Sequence, residues 1–132
     1  MSAAFELSGY EMGERVLRPG ETLHLTLYWR ALRPISDNYA VFTHVRGEGE
    51  TLWAGQDAWP QNGAAPTALW SVGQIITDTY TLTLKPDTPP GQHHVEVGLY
   101  HAETLQRLRL FNTEGYPTDA DFIFLSQIRV VP

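Results

Sequence analysis

The segment Glu21-Thr-Leu-His-Leu-Thr-Leu-Tyr-Trp-Arg30 decides the fold class of this chain. Its large apolar side chains occupy every second position: Leu23, Leu25, Leu27 and Trp29. A period of two places these side chains on one face of a β-strand and the polar ones on the other face. The turn residues Arg18-Pro-Gly-Glu21 come directly before the segment. The segment therefore predicts a strand that buries one face in a core.

Further segments of this kind follow, separated by turns rich in proline and glycine. They span about residues 5–10, 39–46, 52–57, 75–84, 92–101 and 121–131, and residues 104–111 are a candidate for one more short strand. Gly47-Glu-Gly-Glu50 is the predicted hairpin turn between two of them. The series predicts an all-β, antiparallel two-sheet β-sandwich of about seven to nine strands, immunoglobulin-like, with a jelly-roll as the alternative.

The patterns also predict which side chains share a face. In the segment 75–84 Ile76, Asp78, Tyr80, Leu82 and Leu84 share one face, and a core position for Tyr80 would let its hydroxyl bond the backbone as in a tyrosine corner. Residues 39–46 carry large side chains on both faces, so the pattern does not show which face points to the core. In residues 121–131 we expect the inward set to shift near Ser126, as at a β-bulge.

Composition bounds the classes of protein to which the chain can belong. Its 132 residues, 42% of them hydrophobic, fit a single domain over residues 1–132. The absence of cysteine excludes disulfides, thiolate catalysis and thiolate-bound zinc. A net charge of −6 works against binding to nucleic acid, and no apolar run has the length of a membrane helix. Residues 1–7 lack the features of a signal peptide, and strand-like sequence follows at once. We interpret this as the edge of a domain excised from a larger protein, with a natural start as the alternative.

An ordered series of fragments over residues 5 to about 110 resembles a known type of domain. The turn and strand of residues 18–29, the strand Val41-Phe-Thr-His-Val45, and Asp78-Thr-Tyr-Thr-Leu-Thr-Leu84 are similar to its recurrent strands. Pro89-Pro-Gly91 and Val97-Gly-Leu-Tyr100 are similar to its later turn and strand. These are immunoglobulin-like β-sandwich accessory domains appended to large bacterial membrane proteins, often glycosyltransferase-like ones. His93 and His101 depart from the usual residues of that pattern.

The resemblance implies a non-catalytic accessory or interaction module of a larger bacterial cell-envelope protein that is extracytoplasmic and not itself inserted in the membrane. Its implied partners are the rest of the parent protein or another cell-envelope partner. No catalytic residue, cofactor or metal is transferred by the resemblance.

Catalytic and metal-binding interpretations have less support in the residues. Asp57 and Asp78 flank the stretch 58–73 and would suit a glycosidase, which needs two carboxyl groups roughly 5–9.5 Å apart. The alternative is that each bonds loop backbone N–H groups or an arginine such as Arg107. We therefore predict that the chain is not an enzyme. We also predict no cofactor and no metal: the five histidines lack ligand spacing, and the calcium alternative would use Glu114, Asp119 and Asp121.

The tryptophans give the best functional hint. Trp53, Trp59 and Trp70 lie around residues 58–73, the longest stretch without periodicity, with Gln56, Asp57, Gln61 and Asn62 close by. Aromatic faces beside polar groups are suited to stacking on sugar rings, and a core face of Leu52, Ala54 and Gln56 would point Trp53 outward. The alternative function is therefore a carbohydrate-binding module using Trp53, Asp57, Trp59 and Trp70. In the competing interpretation the tryptophans plug one end of the sandwich.

Overall fold

The structure, a computed structural model, describes residues 4–47, 51–118 and 120–132. The predicted turn at Gly47–Glu50 thus falls largely outside the described residues. Two packed sheets contain the strands β1 (Phe5–Met12), β2 (Val16–Leu17), β3 (Thr22–Ala31), β4 (Tyr39–Arg46), β5 (Leu52–Ala58), β6 (Ile76–Thr83), β7 (Gly91–His101) and β8 (Ile123–Val130). Short 3₁₀ turns at Pro60–Gly63 and Thr67–Leu69 separate β5 from β6.

The strand order is that of an immunoglobulin-like sandwich, as the sequence predicts. One sheet has the order β1-β3-β6 and the other β2-β8-β7-β4-β5, which correspond to the A-B-E and G-F-C sheets of that fold. Neighbouring long strands are antiparallel. The exception to the antiparallel prediction is β2, which pairs in parallel with β8 after the chain crosses from one sheet to the other.

The core lies between the facing sides of the two sheets. The alternating apolar set of β3 is buried, and so are the five side chains that the pattern places on one face of residues 75–84, Asp78 included. In β8 the inward set shifts at Ser126, where a register irregularity faces Val95 and Glu96 of β7, so the predicted bulge is confirmed. Within the described residues no helix is long and apolar enough to cross a membrane.

Strand β4 shows why its pattern was ambiguous. Val41, Thr43 and Val45 face the sandwich core. Phe42 points to the other side of the sheet, yet it is also buried, because the Arg107 guanidinium lies 4.1 Å from the centroid of its ring. The ring also covers Gly98, where any Cβ would overlap it.

Candidate functional site

Three loops meet at one end of the sandwich, which we call the loop end. They are the β3–β4 loop (residues 32–38), the β5–β6 loop (59–75) and the β7–β8 loop (102–122). The strand register places them together, because Tyr39 pairs with His101, Val41 with Ala58, and Trp29 with Ile76. Immunoglobulin variable domains carry binding loops at the end formed by the corresponding β3–β4 and β7–β8 connections.

Hydrogen bonds fasten the β5–β6 loop to the β3–β4 loop. The Thr67 hydroxyl donates to the Asp37 carbonyl at 2.8 Å and accepts the Tyr39 N–H at 3.0 Å. The Asn38 side chain accepts the N–H of Ala68 at 3.2 Å. Thr67 is fully buried, so the two bonds of its hydroxyl are shielded from water, whereas the bond of Asn38 is exposed. The loop end is therefore a fixed surface over this part of the chain.

Trp70 takes part in that fastening and is not available to a ligand. It is only 6% exposed and packs edge-to-face on Phe5, with ring centroids 5.5 Å apart. Its indole N–H donates to the Ala65 carbonyl at 2.8 Å. The assignment of Trp70 to a binding platform is thus corrected: this side chain plugs the end of the sandwich, as the competing interpretation held.

Trp53 lies at the opposite end of β5 from the loop end. It is half-buried, and a Cβ on Gly47 would lie 3.3 Å from its Nε1 and 2.5 Å from Nδ1 of His93. Among the residues expected on the core face of β5, Ala54 is buried. Leu52 is 36% exposed, because a register shift between β4 and β5 pairs it with Arg46. Trp53 therefore shares no surface with the other two tryptophans, and a joint platform of the three is not formed.

Asp57 and Trp59 are brought together in what we call the aromatic cleft. It consists of two adjoining hollows of about 220 Å³ each, lined by three alanines and by Phe42, His44, Asp57, Trp59, Tyr100, Leu105 and Arg107. Trp59 is 44% exposed, so its ring is accessible. The cleft lies on the outer face of the five-stranded sheet where β4, β5 and β7 reach the loop end.

The polar groups of the aromatic cleft centre on Asp57. The Tyr100 hydroxyl donates to Asp57 Oδ2 at 3.1 Å, and Nε2 of His44 lies 3.7 Å from Oδ1. Burial lowers the pKa of His44, although the nearby Asp57 partly opposes that shift. Burial, with a contribution from Asp57, raises the pKa of Tyr100. The cleft thus brings the His44 imidazole, the Tyr100 phenol and the Arg107 guanidinium close to the Asp57 side chain, and all of these groups are able to hydrogen-bond hydroxyls.

Leu105 forms the rim of the cleft in an unusual conformation. Its φ is +63°, and its side chain is 68% exposed. A β-carbon makes this backbone region costly by about 1–3 kcal/mol, and such residues cluster at functional sites. The bond from Leu105 N–H to the His101 carbonyl, 2.8 Å, closes the turn. The predicted strand over 104–111 is wrong, because this stretch forms isolated bridges instead of a strand, and Leu105 was not foreseen as a site residue.

Asp78 is held apart from the cleft by its own contacts. It is 1% exposed, accepts the Gln61 N–H at 2.8 Å, and accepts the Tyr80 hydroxyl at 2.6 Å. Burial raises the pKa of Asp78, and these two bonds partly oppose the shift. The Trp29 indole also lowers the pKa of Asp78, but its N–H lacks a hydrogen bond of ordinary geometry. Tyr80 thus bonds a carboxylate, not the backbone expected of a tyrosine corner.

The histidines and carboxylates considered as alternative metal ligands do not form a site in the part of the chain that the structure describes. No group of three or more histidine, aspartate or glutamate side chains there could hold an ion. His93 is buried, with Nε2 2.8 Å from the Pro89 carbonyl, whereas His94 faces the other side and contacts Phe124. Asp119, one of the three calcium candidates, lies outside the described residues. Asp121 approaches the Arg107 guanidinium at 3.7 Å.

The sequence matches no protein-family model and no curated protein. Solved structures do resemble the fold. A Niemann-Pick type C2 protein from the Japanese carpenter ant matches over 98% of this chain and 93% of its own, with 7% identity and a TM-score of 0.52. A β-glucosidase from Listeria innocua matches over 96% of this chain, with 16% identity and a TM-score of 0.51.

An alkylpurine DNA glycosylase from Pseudomonas fluorescens matches over 97% of this chain, with 11% identity and a TM-score of 0.53. The chain spans only 16% of the β-glucosidase and 30% of the DNA glycosylase. At these identities the likeness concerns the fold alone, since sandwiches carry many unrelated functions. The shared feature of the chain and these structures is an immunoglobulin-like β-sandwich.

Proposed function

We propose that this chain is a non-catalytic accessory or interaction module of a larger protein, and that the loop end is its recognition surface. The observation that carries the proposal is the aromatic cleft, which places Trp59, Asp57 and Tyr100 on a loop end fastened by buried bonds. A fixed surface loses little conformational entropy when it binds. The partner is the rest of the parent protein or another cell-envelope component.

The parent we propose is a large bacterial cell-envelope protein, glycosyltransferase-related, with this module in an extracytoplasmic position. Support comes from the ordered motifs between residues 18 and 100. A binding role also suits the distribution of carboxylates. Asp57 is the carboxylate among the described lining residues of the cleft, whereas Asp78 is bonded inside the sandwich. Glycoside hydrolysis ordinarily uses two carboxyl groups facing one bond.

Carbohydrate is the second candidate ligand. The exposed Trp59 ring and the Tyr100 ring offer apolar faces, and the free lone pairs of Asp57 accept hydroxyl protons. Of the four residues predicted for sugar binding, two therefore serve this candidate. Trp53 and Trp70 do not line the cleft.

The test combines a binding and a turnover measurement on the same chain. Bacterial envelope glycans are titrated against the protein labelled with ¹⁵N, and released reducing ends are assayed in parallel. We expect shifts confined to the loop end, loss of binding in Trp59→Ala, and retention in Phe124→Ala, an exposed aromatic outside the cleft. Sugar release would overturn the non-catalytic proposal. Binding that Phe124→Ala abolishes and Trp59→Ala leaves intact would overturn the assignment of the cleft.

A further inference from the structure

A second cavity at the loop end collects positive charge. It measures about 300 Å³ and lies between Ala4, the β3–β4 loop and the β7–β8 loop. Three of the nine lysine and arginine residues of the chain line it: Arg33, Arg107 and Arg109. The acidic side chain among its described lining residues is Asp121. Among the described lining residues three arginines thus accompany one carboxylate, in a chain whose net charge is −6.

The fold fixes where these arginines stand. Leu108 packs on the core and Leu110 is fully buried, so the extended segment turns Arg107 and Arg109 to the same side. The segment is held by the bond from Leu108 N–H to the Leu99 carbonyl, 3.0 Å. Arg33 reaches the cavity from the other loop, whose start is tied by the bond from Leu32 N–H to the Ala4 carbonyl, 2.8 Å.

We propose that this cavity is an oxyanion site, which binds the phosphate, sulfate or carboxylate group of a small ligand. Guanidinium groups present paired N–H donors that match two oxygens of such a group. Gln106 lines the same cavity and adds an amide donor. A volume of about 300 Å³ accommodates one such group with a small attached residue. The site shares Arg107 with the aromatic cleft but contains neither Asp57 nor Trp59, so anion binding does not require that the cleft bind sugar.

Arg107 connects the two surfaces. Its guanidinium lies over Phe42 at the aromatic cleft, and its Nη1 is 3.7 Å from Asp121 at the cavity. We leave Arg107 intact in the test because it also covers a buried ring. The exposed side chains Arg33 and Arg109 carry the test instead.

The probes are inorganic phosphate, sulfate and acetate, titrated at low ionic strength against the protein labelled with ¹⁵N. We expect saturable shifts of the arginine side-chain Nε–H signals and of residues 106–109. Arg33→Gln/Arg109→Gln should weaken the binding about fivefold or more, and Arg109→Gln alone by a smaller factor. Preference for phosphate and sulfate over acetate would identify tetrahedral anions as the ligand class, and the reverse preference would identify carboxylates.

The control is Arg15→Gln/Arg129→Gln, which removes the same charge from a shallow surface lined by Arg129 of β8 and by Arg15 of the connection between β1 and β2. It should change the binding less than about twofold, since only the general field is altered. Equal weakening by both double variants would overturn the site, and so would the absence of saturable shifts with all three anions. The backbone spectrum of each variant shows whether it is folded, and Arg109→Gln alone decides the question if the double variant is not.

Discussion

Replacement of Asp78 by alanine tests whether this buried carboxylate is a fastening point of the loop end. Its oxygens accept the Gln61 N–H at 2.8 Å and the Tyr80 hydroxyl at 2.6 Å. In Asp78→Ala both donors lose their acceptor. The first donor belongs to a 3₁₀ turn in which Gln61 and Asn62 have φ values of +52° and +58°. These costly conformations persist only where surrounding contacts hold them.

The expected magnitude follows from the two lost acceptors. The buried Tyr80 hydroxyl left unpaired costs about 1–3 kcal/mol, and losing the part-buried bond from Gln61 N–H to a charged group costs about 1.5–3 kcal/mol, so the gross loss is about 2.5–6 kcal/mol. The substitution also removes a charge that burial disfavours, as the raised pKa of Asp78 shows, and this offsets part of the loss. We therefore expect the free energy of unfolding to fall by about 2–4 kcal/mol in Asp78→Ala.

Asp78→Asn separates the charge from the shape, and its effect depends on pH. Because the folded-state pKa lies above the ordinary 3.8, folding favours the protonated form, and wild-type stability falls as pH rises through the interval above 3.8. Asparagine does not titrate. The stability of Asp78→Asn relative to wild type should therefore increase between about pH 4 and pH 7.

Urea unfolding followed by circular dichroism measures these differences, with Thr79→Ala on the exposed side of β6 as the matched control. The control should lose no more than about 0.5 kcal/mol. If Asp78→Ala loses as little as the control, the carboxylate does not fasten the loop. If the free energy of unfolding of Asp78→Asn falls relative to that of wild type as pH rises, the pKa of Asp78 is not raised by folding.

Three further predictions concern the loop end. Trp70→Ala should lower the free energy of unfolding by about 3–5 kcal/mol, because the side chain is buried. Trp59→Ala should lower it by about 1 kcal/mol or less, because Trp59 is 44% exposed, and urea unfolding measures both changes. Leu105→Gly should stabilise the chain by about 0.5–1 kcal/mol because glycine accepts φ near +63°; a loss in thermal unfolding would contradict this. Burial lowers the pKa of His44, so wild type should lose stability as pH falls below 6.5, and His44→Gln should reduce that loss in unfolding curves measured at several pH values.

The strands that the sequence predicts best are those with one face in the core and one in water. In β3 and β6 the alternation is visible because every second side chain is exposed or half-buried. In β4 it is not, because Phe42 is buried by Arg107 from the β7–β8 loop. That cover comes from a residue far along the chain, so no pattern within residues 39–46 contains it.

The tryptophans show that residues close together in the sequence need not share a surface in the fold. Trp53 and Trp59 are six positions apart on and beside β5, where each residue advances about 3.3 Å, so they stand about 20 Å apart at its two ends. Trp70 lies in the loop between β5 and β6, and its ring packs against Phe5 at the end of the sandwich. Of the four predicted site residues, Asp57 and Trp59 share a surface because one strand end carries both.

The net charge of the chain does not report the local charge at one cavity. An overall charge of −6 argues against a long polyanion such as nucleic acid, which meets the field of a whole protein face. A small oxyanion responds chiefly to charges within about 10 Å, the screening length at 0.1 M salt. Within that range of the second cavity the sandwich places Arg33 from one loop beside Arg107 and Arg109 from another. An acidic chain and an oxyanion site are therefore compatible, because topology, which joins loops distant in sequence, sets the local sign of charge.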